Sequence, residues 1–252
     1  MKGRMSLSGT PRDRLIFALD VDRLDEAEPM VRKLAPHVGV FKVGPRLFTN
    51  AGSLVFDLIH GMGSKVFLDL KFHDIPEAVA AAAREISRQR VKMFTLHALG
   101  GPKMIRAVQQ RLMESTIVPG LEPPLCLAVT LLTSHTPEDI KQLGFPGPLV
   151  QHVTQLARSA VEAGAGGVVA SGHEVGALKR VLPTRTVFVV PGIRRASDPV
   201  GDQSRVMSAE EAIRAGADYL VVGRPIRDAP DPAAVADAIV DEIARGLEAF
   251  QA

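Results

Sequence analysis

The chain is poor in the residues that mark extracellular, membrane and nucleic-acid-binding proteins. It has one cysteine, one tyrosine and no tryptophan in 252 residues. A single cysteine cannot form a disulfide within the chain, which excludes a disulfide framework and suits a reducing compartment. Cys126 stands in the apolar run Leu125 to Val129, where a free cysteine behaves as a small core hydrophobe. There is no Lys/Arg run, and aromatic residues make up only 4% of the chain. A basic stripe interleaved with stacking rings, the usual nucleic-acid surface, is therefore missing. No segment approaches the roughly 20 apolar residues that cross a bilayer. Residues 1–13 are polar and lack the apolar stretch of a signal peptide. The expectation is a soluble cytoplasmic protein with neither a nucleic acid nor a membrane as partner.

What is present is a large apolar fraction, 46%, with 30 basic residues nearly balanced by 28 acidic ones. Short apolar runs alternate with longer amphipathic segments throughout. The strand-like runs are 15–20, 38–43, 65–71, 93–97, 125–131, 167–171, 187–190 and 219–222. Helix-like stretches between them include 77–90, 102–113, 149–163, 209–215 and 233–247. Pro76 suits a first helical turn, where its missing N–H is no loss. Gly164, Gly166 and Gly216 fall where helices should stop. Repeated βα units imply a parallel sheet covered by helices. Eight of them in a chain of this length fit an α/β fold of the (β/α)₈ barrel type. An open doubly wound sheet is the competitor, but the first βα turn carries no G-x-G-x-x-G. No linker or composition break divides the chain. It reads as one catalytic barrel, residues 14–252, behind an N-terminal extension, residues 1–13. Residues 133–148 and 194–208 are long, polar and marked by Gly and Pro, as functional lids and binding loops often are.

The charges fall where such a barrel does chemistry, at the C-terminal ends of its strands. Asp20 closes the first run, Lys42 lies near the end of the second, and Asp69 and Lys71 close the third, with Asp74 just beyond. Strand side chains alternate with period two, so Asp69 and Lys71 share one face and Leu68, Leu70 and Phe72 the other. If the leucines meet the outer helices, the charges point into the barrel mouth. Lys42 with Val40, and Asp20 with Ala18 and Ile16, have the same inward parity. Asp74 has two readings, a member of this array or a helix N-cap ahead of Pro76. His73 and His97 are weaker signals. In the second half, strand seven runs into Pro191-Gly192-Ile193-Arg194 and strand eight into Gly223-Arg224-Pro225. Adjacent turns of this kind suit a phosphate: glycine lets backbone N–H groups approach, and arginine offers a planar fork.

With these residues in place, the sequence resembles the orotidine 5′-phosphate decarboxylase family. The resemblance is carried by Leu68-Asp-Leu-Lys-Phe-His-Asp-Ile-Pro76, Lys42-Val43-Gly44, Leu132-Thr133-Ser134, Pro191-Gly192-Ile193-Arg194, Gly201-Asp202-Gln203 and Val222-Gly223-Arg224-Pro225. It implies decarboxylation of orotidine 5′-phosphate to uridine 5′-phosphate in pyrimidine biosynthesis, with no metal and no organic cofactor. It also implies a homodimer whose sites lie at the interface. Lys71 would donate the proton to C6, and Asp69 would face the substrate carboxylate. Asp74, lent by the other subunit, would complete a Lys–Asp–Lys–Asp line with Lys42. Asp20 and Lys42 would hold ribose hydroxyls, and Thr133 and Ser134 would face the pyrimidine. Gln203, Arg224, Arg194 and the Gly223 backbone would bind phosphate. Ile75, Pro76 and Pro191 join the substrate contacts. Two positions depart from the family pattern: Ala78 stands where a threonine hydroxyl is usual, and Leu99 where a serine is usual. The nearest rival is a Mg²⁺-dependent sugar-phosphate decarboxylase or aldolase on the same barrel. A barrel that only binds nucleotide phosphates is a further one.

Overall fold

The computed structural model describes residues 9–115, 122–132, 134–194 and 207–251. Eight parallel strands close into a barrel in sequence order, β1 (Leu15–Ala18), β2 (Val40–Val43), β3 (Lys65–Phe72), β4 (Met93–His97), β5 (Leu125–Val129), β6 (Gly167–Val169), β7 (Val187–Pro191) and β8 (Tyr219–Val222). β1 pairs with both β2 and β8, so the sheet has no free edge. The helices between strands are α1 (Leu24–Leu34), α2 (Pro45–Ala51), α3 (Leu54–Gly61), α4 (Pro76–Arg88), α5 (Gly101–Ser115), α6 (Pro137–Gln142), α7 (Leu149–Glu162), α8 (Gly172–Val181) and α9 (Ala209–Ala215), and α10 (Arg224–Arg227) and α11 (Pro232–Gln251) follow the last strand. The barrel expected from the alternating pattern is the one observed.

The period-two rule sorts the strand residues into two cores. Ile16, Ala18, Val40, Phe67, Met93, Leu127, Val189, Tyr219 and Val221 form the filling of the barrel. Their neighbours Phe17, Phe41, Leu68, Phe94, Ala128, Val190 and Leu220 face outward into a second layer shared with the helices. Burial on both sides explains why the strands read as continuous apolar runs. α4 shows how a helix joins this layer. Pro76 sits in its first turn, and Val79, Ala80, Ala83 and Ile86 bury one stripe at helical spacing. Each large member of such a stripe contributes about 1.5–3 kcal/mol on full burial. Gly167 is required by a close approach: a Cβ there would lie 2.4 Å from the Val187 carbonyl oxygen.

Cys126 is buried, as expected of a core residue, and burial pushes its thiol up to about 12. Most element boundaries are shifted from the sequence reading, β2, β5 and β6 being shorter than expected, and two differences lie beyond the C-terminal ends of β1 and β5. β1 ends at Ala18, so Asp20 stands two residues beyond the ladder, its N–H bonded to the Ala18 carbonyl at 2.9 Å. The segment read as a long polar loop after β5 contains helix α6. The Thr136 hydroxyl accepts the Asp139 N–H at 3.2 Å while the Asp139 carboxylate takes the Thr136 N–H at 2.8 Å. That reciprocal cap stabilises a short polar helix with little apolar periodicity to announce it. No helix among the described residues is long and apolar enough to cross a membrane.

Candidate active site

Charged side chains from β2, β3 and the turn after β1 meet at the C-terminal mouth of the barrel. Lys42 Nζ donates to Asp20 Oδ1 at 3.1 Å and stands 3.7 Å from Asp69 Oδ2. Lys71 Nζ donates to the two oxygens of Asp69 at 3.0 and 3.1 Å. The result is a continuous line, Asp20–Lys42–Asp69–Lys71, in which each interior charge lies between two of opposite sign. Lys42 and Asp69 are the partly buried middle of the line, with side chains 12% and 14% exposed, and Lys71 opens toward solvent at 36%. Alternation makes the array tolerable, because a buried charge without a partner carries a desolvation penalty that its neighbours here offset.

Local backbone geometry aims these groups. β3 pairs with β4 in register at Leu68 with Phe94 and again at Phe72 with Leu96. Residues 69–71 therefore lie opposite Thr95 alone, a bulge of the kind that re-aims side chains beside active sites. Within it Lys71 takes a left-handed conformation, φ +50°, which is uncommon for a residue with a Cβ. Leu68, Leu70 and Phe72 still pack into the outer layer, as period two predicts. The bulge is what the alternation rule could not foresee.

Two cavities share this line. One, about 150 Å³, is lined by Lys42, Asp69 and Lys71 over an apolar floor of Phe67, Val129 and Val169. The other, about 320 Å³, is lined by Asp20, Lys42, Gly192, Arg194, Gly223, Arg224 and Arg227. Lys42, Pro191 and Val221 border both, so the spaces adjoin. The second is a concentration of positive charge under two glycine turns, suited to an anion. Arg227 was not anticipated from sequence. It follows Arg224 by one turn of α10, and its Nη1 donates to the Asp20 carbonyl at 3.2 Å, tying the β8 turn to the β1 end. Thr95 was not anticipated either, because a buried β-branched residue in a strand reads as core.

The other expected residues are placed as follows. Asp74, Ile75 and Pro76 are exposed on the rim. The Asp74 carboxylate accepts the Ile75 N–H at 2.6 Å, and among the described residues no ion pair joins it to Lys42 or Lys71. It is not the N-cap of α4, a position held by Ile75. Ser134 is exposed after β5. Thr133 and the Gly201-Asp202-Gln203 motif lie outside the described residues. Ala78 and Leu99 are both exposed, Leu99 in a short 3₁₀ turn after β4. His73 and His97 stack with ring centroids 5.5 Å apart. Burial, followed by electrostatic interaction with His73, Lys71 and His135, holds His97 below the usual histidine range.

A parallel (β/α)₈ barrel with a line of paired charges at its mouth, opening onto a cation-lined cavity between strands seven and eight, defines a barrel enzyme for a small anionic substrate. Residues 13–239 match the model of the family described as orotidine 5′-phosphate decarboxylase / HUMPS. The chain belongs to that family. The orotidine 5′-phosphate decarboxylase of Syntrophus aciditrophicus (strain SB) is 49% identical over 239 residues, covering 94% of this chain and 95% of the relative. That of Syntrophotalea carbinolica is 47% identical over 237 residues, covering 94% and 97%. Among solved structures, the orotidine 5′-phosphate decarboxylase of Lactobacillus acidophilus superposes with a TM-score of 0.81 at 36% identity, covering 91% of this chain and 98% of that one. These matches do not favour the Mg²⁺-dependent sugar-phosphate alternative.

Proposed function

We infer that this chain decarboxylates orotidine 5′-phosphate to uridine 5′-phosphate and CO₂, the closing step of de novo pyrimidine synthesis. The observation that carries the reading is the position of Lys71 Nζ, held 3.0 Å from Asp69 inside the smaller cavity, which Lys42 joins to the cation-lined one. The pyrimidine ring fits over the apolar floor beside Lys71. The ribose reaches Asp20 and Lys42, and the phosphate lies among Arg194, Arg224, Arg227 and the Gly223 backbone, with Gln203 assigned there by resemblance. Pro191 borders both cavities, and Thr133 and Ser134 are assigned to the ring.

The chemistry follows from charge. The bond from C6 to the carboxylate carbon breaks, its electron pair stays on C6, and CO₂ departs. C6 has no adjacent carbonyl into which that pair can delocalise. An ammonium fixed beside C6 attracts the developing charge, and this attraction is stronger in the transition state than in the bound substrate. Lys71 then transfers a proton to C6 and regains one from solvent. Asp69, beside the substrate carboxylate, adds a repulsion relieved as CO₂ leaves, a smaller contribution than that of Lys71. The two carboxylates of the charge line are already paired with lysines, which supports a reaction using no metal; the family resemblance adds that no organic cofactor takes part. Full turnover of orotidine 5′-phosphate in excess chelator, followed by loss of the orotidine absorbance, is the expected result. A requirement for Mg²⁺ would restore the sugar-phosphate reading. Tight binding of uridine 5′-phosphate without any turnover would support the barrel that only binds nucleotides.

The working unit in this reading is a homodimer. Residues 73–78 are an unbroken exposed run at the mouth, with Ile75 68% exposed, and Leu99 lies 39% exposed on the neighbouring strand end. A rim that exposes Ile75 and Leu99 among polar residues, with Asp74 outside its own chain's charge line, suits a partner subunit that receives Asp74 next to its Lys71, with Ile75 and Pro76 beside its substrate. Mixing inactive Asp74→Ala and Lys71→Ala chains then restores roughly a quarter of wild-type activity, since half of randomly paired dimers regain one of two sites. No recovery would refute the shared site. We take residues 14–252 as the catalytic barrel, residues 1–13 as an extension, and the compartment as the cytoplasm.

A further inference from the structure

We propose that Thr95 is a positioning residue for the Asp69–Lys71 pair, its hydroxyl serving as the clamp that holds the β3 bulge in working geometry; this rests on the decarboxylase reading. Thr95 is fully buried in β4 and faces the one stretch where the β3–β4 ladder is interrupted. Its Oγ1 accepts the Lys71 backbone N–H at 2.9 Å and donates its own proton to Asp69 Oδ1 at 2.9 Å. One hydroxyl thus supplies the partner that the interrupted ladder denies to Lys71 and fixes the rotamer of the carboxylate that Lys71 Nζ binds at 3.0 Å. Both ends of the lysine are controlled from the same atom, the backbone directly and the ammonium through Asp69.

Two contrasts separate this arrangement from ordinary satisfaction of a buried threonine. Thr130 and Thr186 are equally enclosed, yet their hydroxyls have no protein partner among the described residues. These two threonines stand at strand ends without such a partner, whereas Thr95 has a protein partner for both its donor and its acceptor. The bond also falls on the residue with φ +50°. A side-chain-bearing residue stays in that region only where its surroundings over-determine it. The Thr95 hydroxyl is one such constraint, since its hydrogen bond anchors the peptide N–H of the residue that adopts this conformation. Placement errors of about 1 Å at a reacting group can lower rates by about 100-fold, so a clamp of this kind bears on turnover more than on substrate affinity.

The test compares Thr95→Val, which keeps shape and removes the hydroxyl, with Thr95→Ser, which keeps the hydroxyl. Turnover of orotidine 5′-phosphate, binding of uridine 5′-phosphate, and hydrogen exchange of the Lys71 amide are measured on each. Thr95→Val should lower kcat by about 10- to 100-fold with KM and uridine 5′-phosphate affinity within about threefold, and should speed Lys71 exchange. Thr95→Ser should restore both. A Thr95→Val enzyme with kcat within twofold of wild type, or with unchanged Lys71 exchange, overturns the proposal. If Thr95→Val does not fold, Thr95→Ala carries the same comparison. If the wild type does not turn over orotidine 5′-phosphate, the decarboxylase reading fails on its own, and the exchange measurement still decides whether Thr95 holds the bulge.

Discussion

Replacing Lys71 by alanine should nearly abolish turnover while sparing the fold and product binding, and the size of the loss can be worked from the site. An ammonium about 4 Å from a full charge at C6 contributes ~4 kcal/mol at an effective dielectric near 20. At about 1.4 kcal/mol per tenfold, that corresponds to roughly three powers of ten in rate. Loss of a positioned proton donor removes typically another two to four. The Lys71 side chain is 36% exposed, so solvent screening brings the Coulombic share toward its lower end. A fall in kcat of at least about 10⁴-fold is expected. Asp69 keeps its Thr95 hydrogen bond at 2.9 Å and Lys42 at 3.7 Å, so the mouth does not collapse when Lys71 is shortened. Uridine 5′-phosphate affinity should therefore stay within about tenfold, because most of its contacts lie in the other cavity. The assay is loss of orotidine absorbance under saturating substrate in chelator, with product binding by calorimetry as the control. A Lys71→Ala enzyme retaining more than about 1% of wild-type kcat would refute the assignment of Lys71 as proton donor.

Three further outcomes follow from the same geometry. Arg224→Ala should reduce kcat/KM by about 100-fold or more, since phosphate binding energy from a remote group can be used to close loops over the reacting atoms; Arg227→Ala, which loses a charge-assisted bond to the Asp20 carbonyl, should reduce it by about 10-fold, and steady-state kinetics within twofold of wild type for either would count against the cation-lined cavity as the phosphate site. Lys71→Gly should be at least as stable to urea as Lys71→Ala, because glycine escapes the ~1 kcal/mol left-handed penalty that any Cβ incurs at φ +50°; a clearly less stable glycine variant would show that the bulge is not strained. His97 is held below the usual histidine range, so the unfolded chain binds the proton more readily than the folded one. Its contribution is complete above about pH 6.5 and is lost as pH falls from there through the lower folded value. Wild-type melting temperature should therefore drop more steeply between about pH 7 and 5 than that of His97→Gln, and parallel curves would contradict the assignment.

Strand parity was legible because alternation is a covalent property of extended chain. It placed Asp69, Lys71, Lys42 and Asp20 on the inner face and Leu68, Leu70 and Phe72 on the outer, and the two packed layers agree. Gly223-Arg224 and Pro191 to Arg194 could be read as an anion site because the barrel makes strands seven and eight neighbours, and they line one cavity. Helix α6 was hidden in a polar segment, since its stability comes from a reciprocal cap and not from an apolar stripe. Arg227 was hidden because its partner, the Asp20 carbonyl, is 207 positions away and carries no side-chain signature.

The sequence by itself determined the repeat, the inward face of each strand and the identity of the charges at the mouth. These follow from local periodicity and residue chemistry, which act over a few positions. Only the tertiary structure decided which charges touch, that Asp74 stands apart from its own chain's line, and that Thr95 opposes a bulge instead of packing as one more core residue. Those facts depend on the register between β3 and β4, set when the closed barrel brings together residues 24 and 26 positions apart. A threonine in an apolar strand has the same sequence signature whether its hydroxyl is idle or holds a lysine in place.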